Sequence, residues 1–251
     1  MQQPNEVFER ARQAREEGRF EDALNDHLWL HEHALEVSPD WNGVRLSFAL
    51  RDWIYLAQQF PSARAALQAI RDRESARMLK GEATVERFRE IASINEALGE
   101  VPATHQLFLS LDSIDSAVAE QCAELAMNAL VKCEDFQLAR RFLPSPRQRI
   151  AQLAERLNGA ADALAGQPAS AAPTLLAFVL NYAKEVRLVL AVLRGMEEND
   201  EADNMKKAAL DAIRSDGLRA IMERELDQPG STLAAMARQQ EQDGQAADSA
   251  E

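Results

Sequence analysis

Three of the four histidines, His27, His31 and His33, cluster in one short stretch. His27 and His31 are four positions apart, so on a helix they project from one side and two imidazole nitrogens can approach a single metal ion. A zinc centre takes three or four protein ligands, and positions 24 and 35, which would offer a third on the same face, are both leucine. That ligand would have to come from another helix. The competing reading puts both imidazoles on an inner helix face, hydrogen-bonded to neighbouring groups, with His33 toward solvent. A metal-binding sensor or hydrolase using His27 and His31 is thus the enzymatic alternative, while the reading adopted carries no metal and no cofactor.

Other catalytic arrangements are missing from the sequence. Ser47 sits in no Gly-x-Ser-x-Gly elbow, and there is neither a G-x-x-x-x-G-K nor a G-x-G-x-x-G string to cradle phosphate. Cys122 and Cys133 fall in one helical segment, where the rise per residue sets them roughly 16 Å apart, too far for a disulfide. Only Lys132 lies beside either thiol. The acidic run 197–203 lacks the alternating ligands and central glycine of a calcium loop; it reads as a solvated loop whose last acids favour the next helix N-terminus. Catalytic residues are therefore expected to be none.

The charge balance narrows the partners. With 41 acidic against 28 basic residues the net charge is −13, which repels phosphate backbones and like-charged membranes. Neither nucleic acid nor membrane is an expected partner. The N-terminal residues lack the basic start and apolar run of an export signal, and the greasiest stretch, Pro173 to Leu193, is broken by Lys184, Glu185 and Arg187. A soluble, cytoplasmic protein with reduced thiols is the expectation. Glycine and proline number only 10 and 9, too few for a β-barrel or sandwich with a turn every ten residues. An all-α fold is predicted.

The elements that must position any site follow from a repeat. Phe20-Glu21-Asp22-Ala23, Phe60-Pro61-Ser62-Ala63, Val101-Pro102-Ala103-Thr104 and Phe136-Gln137-Leu138-Ala139 each place a large apolar residue three before a small one. They recur at intervals of 40, 41 and 35 residues, the range of helical-hairpin repeats. Gly18 and Gly99 precede two of them at one offset, supplying the left-handed turn that ends a first helix. Pro61 and Pro102 stand where a second helix begins and a missing N–H costs nothing. After the first turn, Ala23, His27, Leu30 and Ala34 form one helical row and Leu24, Leu28, His31 and Leu35 the next, until Pro39 stops the helix.

Glu17-Gly18-Arg19-Phe20-Glu21-Asp22-Ala23-Leu24, closed by Ala34-Leu35-Glu36-Val37-Ser38-Pro39, resembles a tetratricopeptide repeat. The interval from Ala23 to Ala34 is 11 residues where that pattern has 7, one extra helical turn. Gln58 and Glu134 replace the turn glycine in later copies, and Thr104 replaces the small alanine. The block Arg45 to Trp53 also resembles bacterial repeat proteins without an assigned activity. The resemblance covers residues 1–143 and implies about four hairpins in a right-handed α-solenoid whose first helices line a concave groove. The groove positions it implies are Phe8 and Arg12, then Arg45, Phe48, Asp52 and Tyr55, then Arg89, Ser93 and Glu96, then Glu124 and Asn128. Arg45, Phe48, Asp52 and Tyr55 follow one another at helical offsets of three or four and are predicted to share a face. Arginine and aromatic side chains together suit a short peptide or a partner helix. The set does not match the Lys/Asn/Arg pattern by which some members clamp a terminal carboxylate. Phe48 and Tyr55 have a packing alternative against the adjoining hairpin, and Trp29, Trp41 and Trp53 read as structural.

Leu143-Pro144-Ser145-Pro146 breaks the pattern. Residues 144–227 read as further helices that continue or cap the solenoid: Arg147 to Leu164, a connector at Gly166–Pro173, an all-round apolar helix from Thr174 to Arg194, then Asp203 to Ile213 and Gly217 to Leu226. The 174–194 helix must be buried on several sides or form a homodimer contact. Residues 228–251 read as a flexible acidic tail with at most one weak helix near Leu233 to Arg238. The function expected is a non-catalytic module that binds a protein or peptide partner in the groove; a structural homo-oligomer subunit is the other alternative.

Overall fold

The computed structural model describes residues 2–165 and 172–238. Among these residues every regular element is helical and none is a strand. The chain forms two compact units, Met1–Cys133 and Glu134–Glu251. The sequence pattern puts its break ten residues later, at the prolines.

In the first unit α1 (Pro4–Glu16) and α2 (Phe20–Val37) form an antiparallel pair. Pro4 opens α1, and Val7, Ala11 and Ala14 form its buried stripe. A 3₁₀ turn, Pro39–Trp41, leads into α3 (Asn42–Val44), a π-helical turn (Arg45–Ala49) and α4 (Leu50–Gln59), which run on as one continuous helix. Then come α5 (Pro61–Leu79), α6 (Val85–Leu98), α7 (Val101–Ile114) and α8 (Ser116–Lys132). Successive helices pack on one another, with α2, α4 and α6 also in contact and α8 lying on both α6 and α7.

All four repeated strings open a helix: α2 starts at Phe20, α5 at Pro61, α7 at Val101, and α9 (Phe136–Arg141) opens the second unit. Their small residues Ala23, Ala63, Thr104 and Ala139 are all buried. Thr104 brings a hydroxyl into that buried position, and it is satisfied there: the equally buried Asn95 donates Nδ2–H to Thr104 Oγ1 at 3.0 Å. Gly18 and Gly99 take φ of 77° and 75°, and Glu134 adopts φ 57° at the position that glycine holds in those two copies. That conformation strains a residue with a Cβ by about 1 kcal/mol.

In the second unit α10 (Pro146–Leu164), α11 (Ala172–Gly195), α12 (Asn199–Asp211) and α13 (Asp216–Asp227) follow α9. The all-round apolar helix is α11, and it is surrounded: α9, α10, α12 and α13 all pack on it, burying Tyr182, Val186, Val189 and Leu193. The buried Tyr182 hydroxyl donates to the Ala209 carbonyl at 2.8 Å. α12 starts at Asn199, four residues before the sequence pattern starts it, with Asp200 and Glu201 in its first turn, where the helix dipole favours them. Of the connector expected at Gly166–Pro173, residues 166–171 lie outside the described residues. The segment expected as a flexible tail is helical over 231–238, and 239–251 lie outside the described residues. The start of this helix is pinned by the buried Glu225 carboxylate, which accepts from the Gly230 N–H at 2.8 Å, the Thr232 N–H at 2.9 Å and the Ser231 hydroxyl at 3.2 Å. Burial pushes that carboxyl up, but these donors outweigh it and hold its pKa at about 2.

Gly195 closes α11 against Phe136, and a Cβ there would meet the Phe136 ring at 2.2 Å. Gly195→Ala is expected to cost about 1–3 kcal/mol through overpacking. Gly43, with nothing within 4 Å of an added Cβ, is the control: alanine there is expected to be neutral or to stabilise by up to about 1 kcal/mol. Urea unfolding of the two variants checks the contrast. No helix among the described residues is long and apolar enough to cross a membrane.

Candidate functional site

The polar residues of the first unit concentrate between α1, α2, the π turn with α4, and α6. Trp53 is their apolar centre, 3% exposed, with Nε1–H donating to the Ala63 carbonyl at 3.0 Å. His27 stacks on its indole at 5.3 Å between centroids and 21° between planes, and His31 meets it edge-on at 6.3 Å. These contacts place both imidazoles on the inner face of α2, against different carboxylates.

His31 Nε2 lies 3.0 Å from Glu90 Oε1, and Arg45 donates through Nη2 to Glu90 Oε2 at 2.9 Å. Arg45 Nη1 faces His31 Nδ1 at 3.2 Å. A guanidinium only donates, so Nδ1 is the acceptor and the ring proton sits on Nε2, aimed at Glu90. Burial raises the Glu90 carboxyl, and His31 and Arg45 together outweigh it, holding the pKa at about 2. Beside this triad Asp52 accepts from Arg15 Nη2 at 3.1 Å and lies 3.2 Å from His27 Nε2. The His27 contact is close but out of line for a hydrogen bond, and among the described residues His27 Nδ1 has no partner. Burial raises the Asp52 carboxyl, yet His27 and Arg15 hold it below its ordinary value.

The surface above this layer is built differently. Phe48 and Tyr55 are 56% and 46% exposed, two helical turns apart on the outer side of the π turn and α4. The Arg51 guanidinium lies 5.2 Å over the Phe48 ring and that of Arg15 5.9 Å over Tyr55. Between this helix and α6 a cleft of about 260 Å³ opens, lined by Leu46, Ser47, Leu50, Arg51, Ile54, Ser93, Glu96 and Ala97.

The groove set implied by the resemblance is therefore divided. Ser93 and Glu96 line the cleft, Phe48 and Tyr55 are exposed on the helix that forms its other wall without being among its lining residues, and Arg89 is exposed one turn before Ser93 on α6. Arg45 and Asp52 do not share the open face. They are buried, at 8% and 6% exposure, because each pair spaced by seven forms its own row, Arg45 with Asp52 inward and Phe48 with Tyr55 outward. Phe8 packs edge-on against Trp41 at 5.9 Å, and Arg12 lies over Phe8 while pairing with Glu9. Glu124 and Asn128 lie on α8, away from the cleft lining.

The sequence pattern misses Glu90 and Arg15, the partners that make the buried layer. One signal was present: Glu90 is spaced by four and seven from Ile94 and Ala97, which puts a carboxylate in an apolar row. Among the described residues no group of three or more His, Cys, Asp or Glu side chains is placed to share a metal ion. Neither cysteine is in a disulfide, and burial, with a smaller push from Glu86, raises the Cys122 thiol to about 11, which leaves it a weak nucleophile. Comparison with known proteins finds no matching family model, no matching curated protein and no matching solved structure.

Proposed function

We propose that the paired helices of the first unit stack as a tetratricopeptide-like right-handed solenoid and that the chain is a non-catalytic interaction module. It holds a peptide segment or partner helix across the outer faces of its first helices, α1, α4 and α6. The observation that carries the reading is the exposed aromatic pair Phe48 and Tyr55 on the helix that forms one wall of the cleft. Large apolar rings left in water lose the stabilisation that burial would give, about 1.5–3 kcal/mol each. Two such rings on one helix, each with an arginine laid over it, have the composition of binding anchors. The buried charges support the same reading, since a layer of paired His, Asp, Glu and Arg beneath α4 fixes the surface above it.

The test is the Phe48→Ala/Tyr55→Ala double variant, used as bait beside wild type with quantitative mass spectrometry of what each captures. Neither ring belongs to the core, so far-UV circular dichroism is expected to be unchanged. Truncating two anchors is expected to weaken a genuine partner by about 30-fold or more. A captured set identical for both baits sinks the proposal.

A further inference from the structure

We infer that the segment held at the cleft is an internal acidic one: an apolar anchor side chain flanked by aspartate or glutamate. The inference rests on the groove reading above and specifies its ligand.

The argument starts from how the first unit uses its arginines. In a chain of net charge −13, arginines find carboxylates readily, and Arg10, Arg45, Arg64, Arg71 and Arg87 all do. Arg51 and Arg89 do not. Both are exposed, and among the described residues neither lies within ion-pair distance of a carboxylate. They come from different helices and flank one opening: Arg51 lines the cleft, and Arg89 sits one turn before the cleft residue Ser93 on the same row of α6. Between them the floor is apolar, made by Leu46, Leu50, Ile54 and Ala97. The two serine hydroxyls at the cleft are already engaged, Ser47 donating to the Gly43 carbonyl at 2.6 Å and Ser93 to the Arg89 carbonyl at 2.9 Å. Guanidinium groups are therefore the donors left for a ligand, and their planar forks match carboxylates. Glu96 is the single acid in the lining, and it disfavours further negative charge at its own end of the cleft. A segment with its apolar side chain on the floor and its acids toward Arg51 and Arg89 satisfies both features. The overall charge of −13 disfavours acidic chains on the average surface, so two arginines without a carboxylate partner at this opening select by place.

The experiment is selection from a random 12-residue peptide library displayed as N-terminal fusions on phage, so that no peptide carries a free C-terminus. The full chain is the target, and the Phe48→Ala/Tyr55→Ala variant is the counter-selection. The expected result is enrichment of peptides with two or more Asp or Glu around a Leu, Ile, Phe or Trp. Their affinity, read by fluorescence anisotropy on the synthetic amidated peptides, should fall about tenfold on Arg51→Glu/Arg89→Glu. Arg51→Lys/Arg89→Lys, which keeps the charge, should lose less. Enriched peptides that are neutral or basic, yet depend on Phe48 and Tyr55, overturn the acidic ligand and leave the groove standing. Enrichment of acidic peptides indifferent to the charge reversal also overturns it. If no enriched peptide depends on Phe48 and Tyr55, the groove reading itself fails.

Discussion

Glu90→Ala is expected to destabilise the first unit by about 3–5 kcal/mol and to lower its thermal midpoint by roughly 10 °C. The reason is what remains behind. Arg45, 8% exposed, would keep its charge without a carboxylate, and His31 Nε2 would lose its acceptor at 3.0 Å. Replacing both ends of the ion pair, as Glu90→Leu/Arg45→Met, is expected to recover the part of the loss due to the unpaired Arg45 charge, while His31 stays without its two partners. A single variant no worse than the double one would show the triad to be dispensable. The same carboxylate sets an acid limit. Its folded pKa of about 2 lies below the ordinary value of 4.5. The stabilisation is therefore complete above about pH 4.5 and is lost as pH falls toward 2, amounting to about 3 kcal/mol over that window. Denaturant titrations at pH 7, 4 and 3 should show wild type losing stability across the window and Glu90→Gln losing less.

Trp53→Ala should cost a similar amount, about 3–5 kcal/mol, by a different route. Its indole fills the space between Leu50, Leu56, Leu67 and Ile94, and it is the surface on which His27 lies flat. Removing it leaves a cavity lined on one side by an imidazole whose Nδ1 has no partner among the described residues, so the site collapses poorly. Trp53→Phe keeps a ring beneath His27 and gives up the bond to the Ala63 carbonyl at 3.0 Å. It is expected to lose about 1–2 kcal/mol. Guanidinium unfolding of the pair separates ring from donor: equal losses would mean that the stacking surface contributes nothing.

These two residues show what could be read before the coordinates. Trp53 as structural and His27 and His31 as inner-face imidazoles are legible, since helix periodicity is local; the hydrogen bonding expected of both holds for His31 and not for His27, whose ring nitrogens have no hydrogen-bond partner among the described residues. Also legible are the four helix starts at Phe20, Pro61, Val101 and Phe136, because a turn carries its own chemistry in a few adjacent residues. Glu90 and Arg15 are not, because each joins the polar layer only through partners 37 to 59 residues away in the chain. Arg45 and Asp52 were assigned to the open groove for a related reason. Offsets of three and four place them near Phe48 and Tyr55, and only the third dimension reveals that a helix edge divides the two rows. The π turn at Arg45–Ala49 leaves no mark in composition, and periodicity arguments assume that such turns are absent.

That turn also has a consequence for how one helix serves two surfaces. A π coil is mostly confined to a single turn and is found frequently at functional sites; here it is the stretch that sends the Arg45 guanidinium inward to Glu90 while leaving the Phe48 ring in solvent.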